Sequence, residues 1–211
     1  MPQVKIGVLV SGSGTNLQSI IDNVESGKIN GIIEVVISNK QDAYGLERAR
    51  QHNISAIFVN QKEYSDNYKY NDKIIEELKN HDVQLIILAG YLKILTSKFI
   101  ETYKNKIINI HPSLIPSFCG SGYYGIKVHE AAINYGVKVS GATVHFVNED
   151  ADAGPIIMQE AVYVDYEDTA ETLQKKILKI EHKILPLAVK YYCDGKIEVI
   201  DRKVRINKEG D

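Results

Sequence analysis

The sequence predicts an α/β fold: an open, mostly parallel twisted sheet with helices on both faces, and an antiparallel strand pair toward the C-terminal part. Three observations carry this. Apolar runs of strand length alternate with helix-period segments through the first half of the chain. Such alternation argues for parallel strands joined by covering helices. After Pro116 the pattern changes, and two longer strand-like segments flank a Gly-Pro turn.

In order, "VKIGVLV" (4–10) reads as a buried strand. "TNLQSIIDNVES" follows as a helix, with Leu17, Ile20, Ile21 and Val24 at helical spacing and Gly27 where it would end. "IIEVVIS" (32–38) is a second strand, "AYGLERARQHN" a helix and "AIFV" (56–59) a third strand. A polar helix from Asn67 to His81 leads into "VQLIILAG" (83–90), the most apolar strand. "SKFIETYKN" forms a short helix before the strand "IINIH" (107–111). "FCGSGYYGIKVHE" reads as a loop entering a helix over 127–135. "VKVSGATVHFV" and "IIMQEAVYV" form the antiparallel pair, joined by "NEDADAGP". A long helix spans 169–192, opened by Asp168 with Glu171 as a capping-box-like start. Leu173, Ile177, Ile180, Ile184, Leu187 and Tyr191 make its apolar stripe, and Pro186 is expected to kink it. "IEVIDRKVRI" closes the chain as an edge strand. No repeat or linker interrupts this order, which predicts one domain over residues 1–211.

Composition narrows the classes. The 211 residues are 44% hydrophobic and 25% charged, with a net charge of −2, enough for a sizeable core. A pI near 6.3 offers no electrostatic argument for nucleic-acid or membrane partners. No apolar run reaches bilayer length, and no signal peptide or anchor is expected. Cys119 and Cys193 make neither a disulfide framework nor a metal site, so free thiols in the cytoplasm are expected. The six histidines are scattered without H-E-x-x-H spacing, and no metal is expected.

Two stretches carry chemistry. Ser11-Gly12-Ser13-Gly14-Thr15-Asn16 lies between the first strand and first helix, where backbone N–H groups and the helix dipole favour an anion. A dinucleotide fold would want G-x-G-x-x-G, but the third position is Leu17; Ser38 and Asn39 stand where an acidic residue should close the second strand. The G-K-[ST] of a triphosphate loop is absent too. A single phosphate monoester fits better. In "IINIHPSLIPSF" (107–118), Asn109 and His111 share one face of an extended segment, and Pro112 keeps His111 extended. An amide donor beside an ionisable donor suits an oxyanion developing on an attacked carbonyl. Such an imidazole needs a carboxylate to fix its tautomer or favour its charged form. Asp152 is the best candidate by sequence, with Glu149 and Asp150 as rivals on spacing. Cys119 follows eight residues after His111, but nothing nearby reads as a nucleophile elbow.

"SGSGTNL", "ISNK" with "AYGLERA", "LAGYLKIL", "NIHPSLIPSF", "ATVHFVNEDADAGPII" and "IEHKILP" occur in this order over nearly the whole chain. Together they resemble the phosphoribosylglycinamide formyltransferases, a folate-dependent family of purine synthesis with a Rossmann-like formyltransferase fold. The resemblance implies small-molecule substrates. The amine of the ribonucleotide attacks the formyl carbon of 10-formyltetrahydrofolate, the cosubstrate, through a tetrahedral intermediate. It also implies roles: Asn109, His111 and Asp152 catalytic; Gly12, Ser13, Gly14, Thr15 and Asn16 on the ribonucleotide phosphate; Glu181 on the ribonucleotide. Gly90, Tyr91, Leu92, Lys93, Ile94 and Leu95, with Asn109, are implied to line the folate. Two departures stand out. The loop 119–127 is long and tyrosine-rich, and Asn67 replaces a basic residue expected near the folate tail, with Lys62 and Lys69 as substitutes. Methionyl-tRNA formyltransferases and formyltetrahydrofolate hydrolases are expected to carry further domains, and Leu17 and Asn39 disfavour a nicotinamide oxidoreductase.

Overall fold

A computed structural model describes residues 2–207. Within it the chain gathers into two compact units, Met1–Ile108 and Asn109–Asp211. Of the single domain expected over 1–211, Met1 and residues 208–211 lie outside the described residues.

The first unit is a run of strand and helix in alternation. Strands β1 (Val4–Val10), β2 (Gly31–Ser38), β3 (Ser55–Phe58) and β4 (Leu85–Leu88) are ordered β3-β2-β1-β4, and each of the three pairs is parallel. Helices α1 (Thr15–Glu25), α2 (Tyr44–Gln51), α3 (Asn67–Asn80) and α4 (Ser97–Thr102) fall where the periodicity places them. A turn of 3-10 helix, Gln61–Glu63, was not foreseen; the Asn60 side chain caps it by accepting from the Lys62 N–H. Every β4 residue is buried, as is β1 from Ile6 onward, because parallel strands covered on both faces must be apolar throughout. In α1, Leu17 and Ile20 are fully buried and Ile21 nearly so, one face of the helix meeting the core.

The second unit takes up β5 (Ile107–His111) at Asn109 and continues through α5 (Ile126–Tyr135), β6 (Val139–Phe146), β7 (Ile156–Tyr163), α6 (Ala170–Cys193), β8 (Ile197–Ile200) and β9 (Lys203–Ile206). Its strand order is β5-β6-β7-β9-β8. The expected antiparallel pair is β6 with β7, in register from Val139 opposite Tyr163 to Val144 opposite Met158. Burial alternates along β7, β8 and β9, the mark of strands with one wet face.

Three local expectations need correction. The last apolar segment is two antiparallel strands, not one edge strand: Asp201, at φ 54°, turns the chain between β8 and β9. The cap of α6 is Thr169, which exchanges hydrogen bonds with Thr172 in a capping box; Asp168 instead accepts from the Thr172 hydroxyl and pairs with Lys176. Both residues are suitable cap types, and the lysine draws Asp168 into an ion pair. Beyond Ile184 the buried stripe of α6 runs through Leu185, Ala188, Val189 and Cys193, while Leu187 and Tyr191 are only half-buried. Helix α6 continues through Pro186, itself buried.

Candidate active site

At the end of β5, Asn109 and His111 share a face because strand side chains repeat every second residue. His111 is buried, 4% exposed, and each ring nitrogen meets an oxygen. Nε2 donates to the Phe118 carbonyl at 2.9 Å, and Nδ1 lies 3.4 Å from Asp152 Oδ2. The imidazolium, with a proton on each nitrogen, suits this pair of acceptors.

The segment after His111 fixes the Phe118 carbonyl. Buried Thr143 on β6 donates to Ser113 O at 2.7 Å and accepts from the Ile115 N–H at 3.1 Å. Gln159 on β7 donates to Ile115 O, and Ser113 donates to Ser117 O. The Ile115–Pro116 peptide within this turn is cis. Two side chains from the antiparallel pair thus hold the turn that delivers Phe118 O to the histidine.

Asp152 sits in the loop between β6 and β7 at φ 54°, a left-handed conformation that Asp tolerates better than most residues. Its Oδ2 also accepts from the Gly120 N–H at 2.9 Å. The loop closes tightly on β6: a Cβ on Gly154 would lie 1.8 Å from Phe146 O, so only glycine fits. Of the three candidate carboxylates, Asp152 makes the contact; Glu149 and Asp150 are exposed and make none with His111.

His145 was missed in sequence reasoning. Its Nδ1 donates to Phe146 O at 2.8 Å, so in the neutral ring Nε2 is an acceptor, 3.1 Å from Asn109 Nδ2. Burial is the main cause holding this imidazole below the usual histidine range, partly offset by the Phe146 hydrogen bond and Asp152. A neutral His145 therefore orients the Asn109 amide and uses one of its two N–H groups. The only available signal was alternation: on β6 His145 falls two residues after Thr143, on the same face. Cys119, whose thiol donates to Pro116 O at 3.3 Å, is pushed up first by burial and then by the Asp152 charge. It stays a protonated thiol, a poor nucleophile. Glu181, expected at the margin of the α6 stripe, lies inside it at 7% exposure.

In the first unit, the glycine loop ends at Gly14, which caps α1 at φ 70° with no side-chain hydrogen bond to the first turn and no acidic residue within it. A Cβ there would come 2.7 Å from Gly45 Cα, so the loop packs backbone to backbone on α2. Ser13 and Gly14 donate no backbone hydrogen bond among the described residues. Ser11, buried, donates to Asn39 Oδ1 at 2.6 Å and accepts from the Leu92 N–H at 2.9 Å. One hydroxyl thereby ties the start of the loop to the 90–95 segment.

That segment divides. Tyr91 and Leu95 are core residues, and Tyr91 hydrogen-bonds the buried Tyr70 hydroxyl at 2.8 Å. Leu92 and Ile94 are exposed at 52% and 82%, and Gly90 turns the chain at φ 75°. Lys93 is half-buried. Asn67 donates to Ile94 O at 3.2 Å, so it braces this segment, while Lys62 and Lys69 are exposed. Among the described residues no group of three or more His, Cys, Asp or Glu side chains is arranged to hold a metal ion, and no helix is long and apolar enough to cross a membrane.

His129 on α5 supplies a pH prediction. Burial, and secondarily the charge of His111, holds its imidazole down to about 4, and its buried Nδ1 has no hydrogen-bond partner among the described residues. The unfolded chain titrates it near about 6.5 and so binds more protons between these values. Stability is therefore complete above about pH 6.5 and falls as the pH drops toward about 4. His129→Gln should flatten that fall in denaturant midpoints measured across the window. An unchanged slope would show that His129 is not buried as a neutral ring.

The Formyl transferase family model matches residues 4–189. Phosphoribosylglycinamide formyltransferase of Haemophilus influenzae is 45% identical over 197 residues, covering 93% of this chain and 91% of that protein. The enzyme of the same name from Escherichia coli is 36% identical over 93% of this chain and 90% of its own length. The crystal structure of glycinamide ribonucleotide transformylase 1 from Symbiobacterium toebii aligns with a TM-score of 0.93 at 42% identity, covering 98% of this chain and 95% of that one.

Proposed function

The chain belongs to the formyl transferase family, and from that premise we propose how its residues divide the work. It transfers a formyl group from 10-formyltetrahydrofolate to the amine of 5'-phosphoribosylglycinamide, giving N-formylglycinamide ribonucleotide and tetrahydrofolate in purine biosynthesis. The family match runs through both units, which supports treating residues 1–211 as one catalytic domain.

The observation that carries the residue assignments is the amide and imidazole on one face of β5, with Asp152 against the imidazole. The amine attacks the formyl carbon, and the carbonyl π electrons move onto oxygen. Asn109 meets that oxyanion with the N–H that His145 leaves uncommitted. His111 already gives its Nε2–H to Phe118 O. It joins the oxyanion by exchanging that carbonyl for a stronger, charged acceptor. Asp152 stabilises the imidazolium and, through water, takes the proton lost by the attacking amine. Collapse of the intermediate breaks the bond to N10 of the folate, which leaves carrying the proton that Asp152 returns through water.

Gly12 to Asn16 hold the ribonucleotide phosphate, which supplies the anion missing from the uncapped start of α1. Glu181 contacts the ribonucleotide. Gly90, Leu92, Lys93 and Ile94 offer the folate exposed apolar surface and backbone groups, while Tyr91 and Leu95 act from the core as supports. The direct test is formyl transfer by the purified chain, following both folate and ribonucleotide products. Formate release without a formylated ribonucleotide would assign hydrolysis instead. Gly14→Ala should weaken ribonucleotide binding and spare folate binding, because the methyl meets Gly45 Cα and the left-handed conformation strains it by about 1–2 kcal/mol. Calorimetric titration of each ligand separately checks this, and unchanged ribonucleotide affinity in a folded variant would remove the phosphate from the loop.

A further inference from the structure

Helix α2 holds two consecutive carbonyls of the glycine loop. The Gly45 N–H donates to Gly12 O at 3.0 Å. The Arg48 guanidinium donates from Nε to Ser13 O at 2.9 Å. These residues lie over 30 positions apart in sequence, so the grip is a tertiary feature. Arg48 is itself fixed on two further sides: Nη1 donates to Gln18 Oε1 at 3.0 Å, and the guanidinium lies 4.9 Å from the centre of the Tyr44 ring. No acidic side chain forms an ion pair with it among the described residues.

Peptide geometry turns this grip into an aim. The only cis peptide among the described residues is Ile115–Pro116, so the 12–13 and 13–14 peptides are trans. In a planar trans peptide the C=O and the following N–H point in opposite directions. Drawing Gly12 O and Ser13 O onto α2 therefore turns the Ser13 and Gly14 N–H groups away from it. Neither N–H has a partner in the described structure. We propose that Arg48, acting through Ser13 O and assisted by the Gly45 N–H, is a positioning residue that pre-orients the Ser13 and Gly14 amides for the phosphate monoester of the substrate. This rests on the phosphate assignment of the glycine loop and adds to it the residue that sets the donors. Two adjacent N–H groups aimed in advance need no reordering when the anion arrives, which is where the affinity comes from. Arg48 makes no claim on the phosphate itself.

The test uses the full chain, with 5'-phosphoribosylglycinamide and tetrahydrofolate as separate probes. Arg48→Met removes the guanidinium and keeps an unbranched stem. Arg48→Lys keeps the positive charge but loses the fork that reaches Ser13 O and Gln18 Oε1 together. In the wild-type chain, the Ser13 and Gly14 amide NMR signals should move on ribonucleotide titration. Both variants should bind the ribonucleotide roughly tenfold more weakly, the scale of losing a charge-assisted hydrogen bond, with those amide shifts diminished and tetrahydrofolate affinity kept. Full affinity in Arg48→Met would overturn the proposal. Full affinity in Arg48→Lys would also overturn it, since charge alone would then suffice; that variant carries the test if the methionine variant fails to fold. Wild-type amides that ignore the ribonucleotide would overturn the phosphate assignment beneath it, a result separable from the other two.

Discussion

Asn109→Ala is expected to lower kcat by on the order of 10²–10³, or roughly 3–4 kcal/mol, while folate affinity stays nearly unchanged. The asymmetry follows from the role: the amide N–H that His145 leaves uncommitted gains a full partner only when the formyl oxygen becomes an oxyanion. The same change strips buried His145 Nε2 of its 3.1 Å contact, so some loss of stability, about 1–3 kcal/mol, accompanies the loss of rate. Thermal denaturation of the variant separates the two effects. A folded Asn109→Ala chain that keeps near-wild-type kcat would make the amide a structural partner of His145 and nothing more.

Asp152→Asn is expected to lower kcat by about 10²–10⁴, the range for a group that supports proton transfer. The substitution preserves the side-chain shape and an oxygen for the Gly120 N–H, but removes the charge 3.4 Å from His111 Nδ1. Glu149→Gln and Asp150→Asn should leave the rate nearly unchanged, since both carboxylates are exposed and neither touches His111. Steady-state rates for the three variants decide by their ordering. Loss confined to Asp150→Asn would relocate the carboxylate, and three active variants would dissolve the carboxylate–imidazole coupling.

How much of this was readable in advance varies with the kind of interaction. Strand β4 and helix α3 were placed within a few residues because their periodicity is a property of the segment itself. Asn109 and His111 were legible for the same reason, since a two-residue offset on a strand needs no tertiary knowledge. The choice of Asp152 over its neighbours was narrowed to three residues by spacing and settled on the family resemblance; the contact itself depends on a left-handed turn and on Gly154 lying against Phe146 O. The turn between β8 and β9 escaped because Asp201 and Arg202 interrupt an alternation that otherwise reads as one strand.

The sequence by itself determined the α/β class and the order of the helices and strands as far as α6, because hydrophobic periodicity acts over a few positions; the 3-10 turn at Gln61–Glu63 and the split between β8 and β9 lay outside it. It also placed an amide, an imidazole and a glycine loop at strand ends. Only the tertiary structure decided who holds them. His145 meets Asn109 across 36 residues, Thr143 reaches Ser113 across 30, and Arg48 reaches Ser13 across 35. No local signal encodes such pairs: each depends on strand pairing and helix packing that bring distant backbone together. The physical chemistry of a donor or acceptor at a strand end is written in its residue type, but its orientation is set by partners that only folding supplies.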